Sequence, residues 1–276
     1  MDAAAPAEEP TARRRTRRRH PGTGGGGPMT ARSGAVVSDP ATSSGAGSLL
    51  DVDDVSCVLG GVRALSEVTM HIAPGELVGI IGPNGAGKTT LFNVVTGFVP
   101  ATTGEVRWDG APLRGGKAHK VARSGLVRTF QNVGGFTGLT VAENLELATR
   151  GRDPEAIERV EALLHLADVR DRSVEDCSLA TRKLVGIAMA LVRTPRLLLL
   201  DEPLAGLDDT DRDRVTSLIE QVHDSGVTVC MVEHDIGRTL RLADRMVVLD
   251  AGRLVAAGTP AELARDDVLA RNYLSS

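Results

Sequence analysis

The apolar run Leu77–Ile81 leads directly into Gly82-Pro83-Asn84-Gly85-Ala86-Gly87-Lys88-Thr89, which fits the pattern G-x-x-x-x-G-K-[ST]. That succession demands a strand, then a tight glycine turn, then a helix whose N-terminus faces the turn. Glycines at 82, 85 and 87 let backbone N–H groups curl around phosphate oxygens, and the helix starting near Lys88 adds the positive end of its dipole. The Lys88 ammonium reaches the β and γ phosphates of a nucleotide, Thr89 supplies a hydroxyl for Mg2+, and Thr90 extends the nucleotide-binding run. Because strand before and helix after are both present, a chance match is disfavoured.

The rest of the chain fits an α/β fold around that turn. Short apolar runs at residues 52–58, 64–72, 76–81 and 105–108, the last closed by Asp109-Gly110, read as strands. From residue 181 onward helix and buried strand alternate: a helix over 181–193, the tetraleucine 197–200, a helix over about 210–225 and a strand over 227–232. Alternation of this kind implies parallel strands covered on both faces. Thr210 with Asp213 reads as a capping pair and Gly226 as the stop before the next strand. Residues 141–166 read as helical, with Leu163, Leu164 and Leu166 toward the core.

Two further strand ends carry charge. The tetraleucine stops at Asp201-Glu202-Pro203, and consecutive carboxylates at the end of a buried parallel strand are costly unless they hold a cation or do acid/base work. Asp201 is placed to anchor Mg2+, and Glu202 to polarise the water that attacks the γ-phosphate. The strand over 227–232 leads to Glu233-His234-Asp235, where His234 is read as a γ-phosphate sensor on the same edge of the sheet.

Composition narrows the remaining classes. Aromatics make up 2% of the 276 residues, with Trp108 and Tyr273 the sole Trp and Tyr, which argues against nucleic-acid binding through stacked bases. The longest charge-free stretch after residue 48, residues 89–104, contains Pro100 and two glycines and falls short of the roughly 20 apolar residues of a membrane span. Cys57, Cys177 and Cys230 are far apart and lack metal-ligand spacing, as expected for reduced structural thiols inside a cell. Residues 1–48 form an Arg/Gly/Pro-rich tail of net charge +3, read as disordered, with a weak attraction to anionic lipid as its functional alternative. No apolar segment follows its arginines, which excludes a twin-arginine export signal.

Taken together, these residues resemble the ATP-binding cassette (ABC) proteins, and among them the ATPase subunits of branched-chain amino acid importers, over residues 49–276. Arg128-Thr129-Phe130-Gln131-Asn132 looks like that group's Q-loop, Ala205-Gly206-Leu207-Asp208 like its D-loop, and His234 matches its switch histidine. The closing stretches Gly258-Thr259-Pro260-Ala261-Glu262 and Asn272-Tyr273-Leu274 are similar to the same group's C-terminal end. The resemblance implies a P-loop NTPase of ABC type. Its parallel core sheet is flanked by helices and joined by an antiparallel β subdomain and a short helical subdomain at about 137–195. It also implies that Gln131 touches Mg2+ and the attacking water, and that Asp208 bridges two ATPase subunits. The implied cofactors are ATP and Mg2+. The implied partners are transmembrane permease subunits and a second ATPase subunit, identical or not, with the chain held peripherally on the cytoplasmic face of the cell membrane.

Three positions depart from the group's pattern. Leu59 stands before Gly60-Gly61 where an adenine-stacking aromatic is usual, so base contact is expected to be apolar packing alone. The signature Leu-Ser-x-Gly-Gln aligns with Cys177-Ser178-Leu179-Ala180-Thr181, which keeps the serine. There the Ala180 methyl group is expected to crowd the partner's γ-phosphate and Thr181 to shorten the polar reach. The helical stretch between Val141 and Cys177 is shorter than usual. Two functional readings follow: a motor subunit whose ATP hydrolysis drives transport of branched-chain amino acids or a related small polar solute, and a nucleotide-binding regulatory subunit with a degenerate signature and little turnover. A soluble ABC-type ATPase acting on DNA or ribosomes is disfavoured, since that class usually carries a long coiled-coil insertion or two cassettes.

Overall fold

The computed structural model describes residues 47–113, 118–129, 135–151 and 153–265. In chain order, β1 (Leu50–Leu59) and β2 (Val62–Ile72) form a hairpin over Gly60-Gly61. Next come β3 (Leu77–Ile81), α1 (Lys88–Val95), β4 (Thr103–Trp108) and β5 (Ala111–Pro112). They are followed by α2 (Ala118–Arg123), β6 (Leu126–Arg128), α3 (Val141–Thr149), α4 (Pro154–Leu163) and α5 (Leu179–Leu191). The last third holds β7 (Leu197–Asp201), α6 (Asp209–Asp224), β8 (Thr228–Val232), α7 (Ile236–Leu242), β9 (Arg245–Asp250), β10 (Arg253–Gly258) and α8 (Pro260–Leu263).

Two sheets result. One is antiparallel in the order β2-β1-β4-β5; the other runs β10-β9-β3-β8-β7-β6, parallel from β9 to β6 with β10 antiparallel at its edge. Every residue of β3, β7 and β8 is buried, and alternate side chains enter two different cores. Leu77, Ile81, Leu198, Leu200, Val229 and Met231 face the helices α3 to α6, whereas Val78, Ile80, Leu197, Leu199, Cys230 and Val232 face α1 and the antiparallel sheet. A strand alternates faces at every residue, so a strand covered on both sides must be apolar throughout. This is why the tetraleucine has no polar partner residues within it. The three cysteines are free and buried, and burial pushes the thiols of Cys57 and Cys230 up.

Two expectations are corrected. The stretch 141–166 is not one helix: α3, opened by a capping box between Thr140 and Glu143, ends at Arg150 in the left-handed region, and Asp153 caps a new helix whose first residue is Pro154. Proline fits the first helical position but not the interior, so the break belongs before it. Leu164 and Leu166 are fully buried and Leu163 partly so. The helix expected near Thr210 starts at Asp209, because Asp208 is its cap and accepts the N–H of Asp211 at 2.9 Å. Asp213, assigned to that cap from sequence, accepts a bond from Arg238 Nε at 2.9 Å instead.

Candidate functional site

Parallel strands end at one edge of their sheet, and the order β3-β8-β7-β6 sets four loops side by side there. The loop after β3 is the glycine turn, that after β8 carries Glu233 and His234, that after β7 carries Glu202, and β6 delivers Arg128 and Thr129. In the glycine turn, Gly87 has φ 102° and caps α1, and a Cβ there would lie 2.7 Å from the carbonyl oxygen of Ala64 on β2. At Gly82, with φ 151°, a Cβ would run into the Leu249 carbonyl oxygen of β9. The loop is therefore wedged between two strands. Gly82→Ala is expected to lower stability by on the order of 3 kcal/mol, seen as a fall in melting temperature; an unchanged melting temperature would mean that the loop relaxes freely.

Lys88 is buried, and its ammonium donates to the carbonyl oxygens of Gly82, at 2.6 Å, and Pro83, at 3.0 Å. It thus lies inside the curl of its own loop. Burial pulls its pKa down, opposed by the negative charges of Glu202 and Asp201 across the edge. The Asp201 side chain is 4% exposed and accepts from Arg128 Nη2 at 2.5 Å. Arg128 also donates to Asn93 Oδ1 at 2.7 Å and lies over the Phe92 ring, so α1 and β6 share the same buried cation.

Glu202 sits one residue beyond the strand with φ 48°, a left-handed conformation that a side chain with a Cβ adopts at a cost. Its N–H donates to the Val232 carbonyl at 3.0 Å, and its Oε1 lies 3.1 Å from Nε2 of His234. Glu233 is 2% exposed and joins the two loops: its carboxylate accepts the Leu204 N–H at 2.7 Å and the His234 N–H at 3.1 Å. Burial raises its pKa, against the pull of those N–H groups and of Lys183. Lysine, two carboxylates and an imidazole at one edge, with glycine-turn N–H groups beside them, can hold a polyphosphate and polarise a water next to it.

The sequence profile of ABC transporters matches residues 65–205. The chain belongs to the ABC transporter family. It is 34% identical over 248 residues to BraF, a high-affinity branched-chain amino acid transport ATP-binding protein of Pseudomonas aeruginosa, covering 82% of this chain and 97% of that protein. To LptB, the lipopolysaccharide export system ATP-binding protein of Escherichia coli, it is 35% identical over 222 residues, 78% of this chain and 92% of LptB. Among solved structures, the dimeric post-hydrolysis state of the ATP-binding cassette MJ0796, bound to ADP and Pi, superposes with a TM-score of 0.67 at 25% identity. That superposition covers 76% of this chain and 98% of that one.

As an ABC ATPase, the chain brings Lys88, Asp201, Glu202 and His234 together, as expected from sequence. Gln131, with Phe130 and Asn132, lies outside the described residues, as do residues 1–46 and 266–276. Leu59 stands at the end of β1, 40% exposed, beside the solvent-exposed Val62. Ser178 caps α5, and its Oγ accepts the Thr181 N–H at 3.2 Å and lies 3.1 Å from Thr181 Oγ1. Ala180 departs from expectation: it is fully buried in the core shared with α3 and the central sheet, so its methyl group is directed inward and does not crowd the surface beside Ser178. The first turn of α5 explains this, since residues 180 and 184 share the helix face that packs inward. Leu179, like Ser178, is exposed, and a Cβ added at Gly206 in the loop before Asp208 would lie 3.3 Å from its side chain. Arg128 and Lys183 received no role of their own from sequence. Both act across the fold, and neither has a local spacing that marks it.

Proposed function

We propose that this chain hydrolyses ATP to drive a membrane importer of branched-chain amino acids or a related small polar solute. The observation that carries the hydrolytic part is the Glu202–His234 pair at 3.1 Å beside Lys88 and Asp201. In this reading Lys88 and the N–H groups of the glycine turn, from Gly82 through Asn84, Gly85, Ala86 and Gly87 to Thr89 and Thr90, bind the phosphates, while Pro83, which has no N–H, shapes the turn. Glu202 takes the proton from the attacking water, and His234 orients Glu202 and the γ-phosphate. Leu59 supplies an apolar contact to the base.

The donor set suits Mg2+: a Thr89 hydroxyl, the Asp201 carboxylate and the Gln131 amide are hard oxygens, and the ion usually takes few protein ligands alongside phosphates and water. Bound there, the ion would neutralise charge on the β and γ phosphates. Asp201 is already oriented for it by Arg128 and by its position at the end of β7.

For the assembly, the proposal is two such chains, identical or not, on permease subunits at the inner face of the cell membrane. Ser178 and Asp208 would then face the other chain. No helix among the described residues is long and apolar enough to cross a membrane, so the crossing is assigned to the permease. A cleft of about 500 Å3 beside Arg128 and Thr129, with Phe98 at 54% exposure and Met189 in its wall, offers the permease an apolar seat next to the chain leading to Gln131. Import of amino acids is preferred over lipid export because the BraF match is longer, 248 against 222 residues. The test is uptake of radiolabelled leucine by cells lacking this gene. Uptake should fall and return with the wild-type chain but not with Glu202→Gln; uptake that survives the deletion would remove the solute assignment.

A further inference from the structure

Lys183 lies in the second turn of α5, and its ammonium donates to the main-chain carbonyl of Glu202 at 3.0 Å. A lysine this close to the surface ordinarily carries its ammonium outward to water. Here the ammonium is half-buried, directed at a carbonyl, and close enough to the carboxylates of Glu202 and Glu233 to feel both charges. The same carbonyl accepts the Ala205 N–H at 3.2 Å. Glu202 is therefore held at both main-chain ends: its N–H by Val232 of β8, its carbonyl by Lys183 of α5 and by Ala205. These bonds offset the cost of the left-handed φ of 48° and fix the direction in which the Glu202 side chain leaves the backbone.

We propose that Lys183 is a positioning residue for ATP hydrolysis, fixing the main chain of Glu202 from the helix that begins at Ser178. The inference rests on the reading of Glu202 as the residue that activates water. Ser178, the cap of α5, and Lys183 are five residues apart, about 7.5 Å along the helix axis, so the Lys183 side chain links the capped helix to the backbone of Glu202. Glu233 completes the arrangement by tying the turn after Glu202 to the backbone of His234.

The test uses the purified full chain and compares ATP affinity and kcat for wild type, Lys183→Met, Lys183→Arg, Glu202→Gln and the double variant Lys183→Met with Glu202→Gln. Methionine keeps the apolar stem and removes the donor. Lys183→Met should keep ATP affinity within about twofold and lower kcat about tenfold, since small misplacements of a reacting group cost this much or more. Lys183→Arg, which restores a donor, should recover most of the rate. In the Glu202→Gln background the methionine should subtract nothing further, because Lys183 acts only through Glu202. Wild-type kcat in Lys183→Met, or the same tenfold loss in both backgrounds, would overturn the inference. If Glu202→Gln itself turned over like wild type, the reading of Glu202 would fall first, and the inference with it.

Discussion

Lys88→Ala is expected to lose most of the affinity for ATP, on the order of a hundredfold or more, while the chain still folds. Charge-assisted contacts to phosphate are about twice as strong as neutral ones, and the ammonium is the full positive charge that the glycine turn itself supplies. Its pKa is pulled down by burial, yet Asp201 and Glu202 oppose that pull and favour the charged form that a polyphosphate needs. The fold should survive because what Lys88 loses is two bonds to carbonyls of its own loop, at Gly82 and Pro83, and not a contact in either core. Pro83 is exposed, so water can take the place of the ammonium there. Titration of the purified variant with a fluorescent ATP analogue, beside its melting temperature, checks both halves. Undiminished affinity in a folded variant would remove the phosphate-binding role from Lys88.

Much of this site is legible in the sequence because its residues follow buried strands directly. A glycine turn after an apolar run, two carboxylates after four leucines and a histidine after a second apolar run each announce a strand end, and parallel strands put such ends on one edge. The parallel sheet is legible in the same way, from all-apolar runs alternating with helices, whereas the strands of the other sheet are legible only as short apolar runs and their antiparallel arrangement only through the family resemblance. What the sequence could not show depends on approach across the fold. Arg128 reaches Asp201 over 73 residues of chain and Lys183 reaches Glu202 over 19, and neither distance is encoded in a local pattern. The cap of α6 was misplaced by two residues because Asp208, Asp209, Thr210 and Asp211 offer several cap-forming side chains in succession, and only the backbone geometry selects among them. Ala180 was misjudged because a spacing aligned to a family signature says which residues lie side by side in sequence, not which helix face each occupies. The pairing of Glu233 with Leu204 and His234 could have been suspected, since a buried strand that ends in Glu and His must satisfy the carboxylate with nearby N–H groups.

Glu202→Gln is expected to bind ATP as wild type does and to hydrolyse it about a thousandfold more slowly, in the range that loss of a general base produces. The amide has the same shape as the carboxylate, so the clamp on the main chain by Val232 and Lys183 is untouched, and an amide oxygen can still lie 3.1 Å from His234 Nε2. The amide cannot accept the proton that water gives up. Bound ATP should then persist, and if two chains close around it, a nucleotide-loaded pair should accumulate. The direct measurement takes one sample of the purified full-length variant with Mg2+ and ATP, follows release of inorganic phosphate, and then passes the same sample through a sizing column to recover the retained nucleotide. The result expected is intact ATP eluting with the protein and phosphate release near background; phosphate release at the wild-type rate would contradict the assignment of this strand-end cluster as the hydrolytic site.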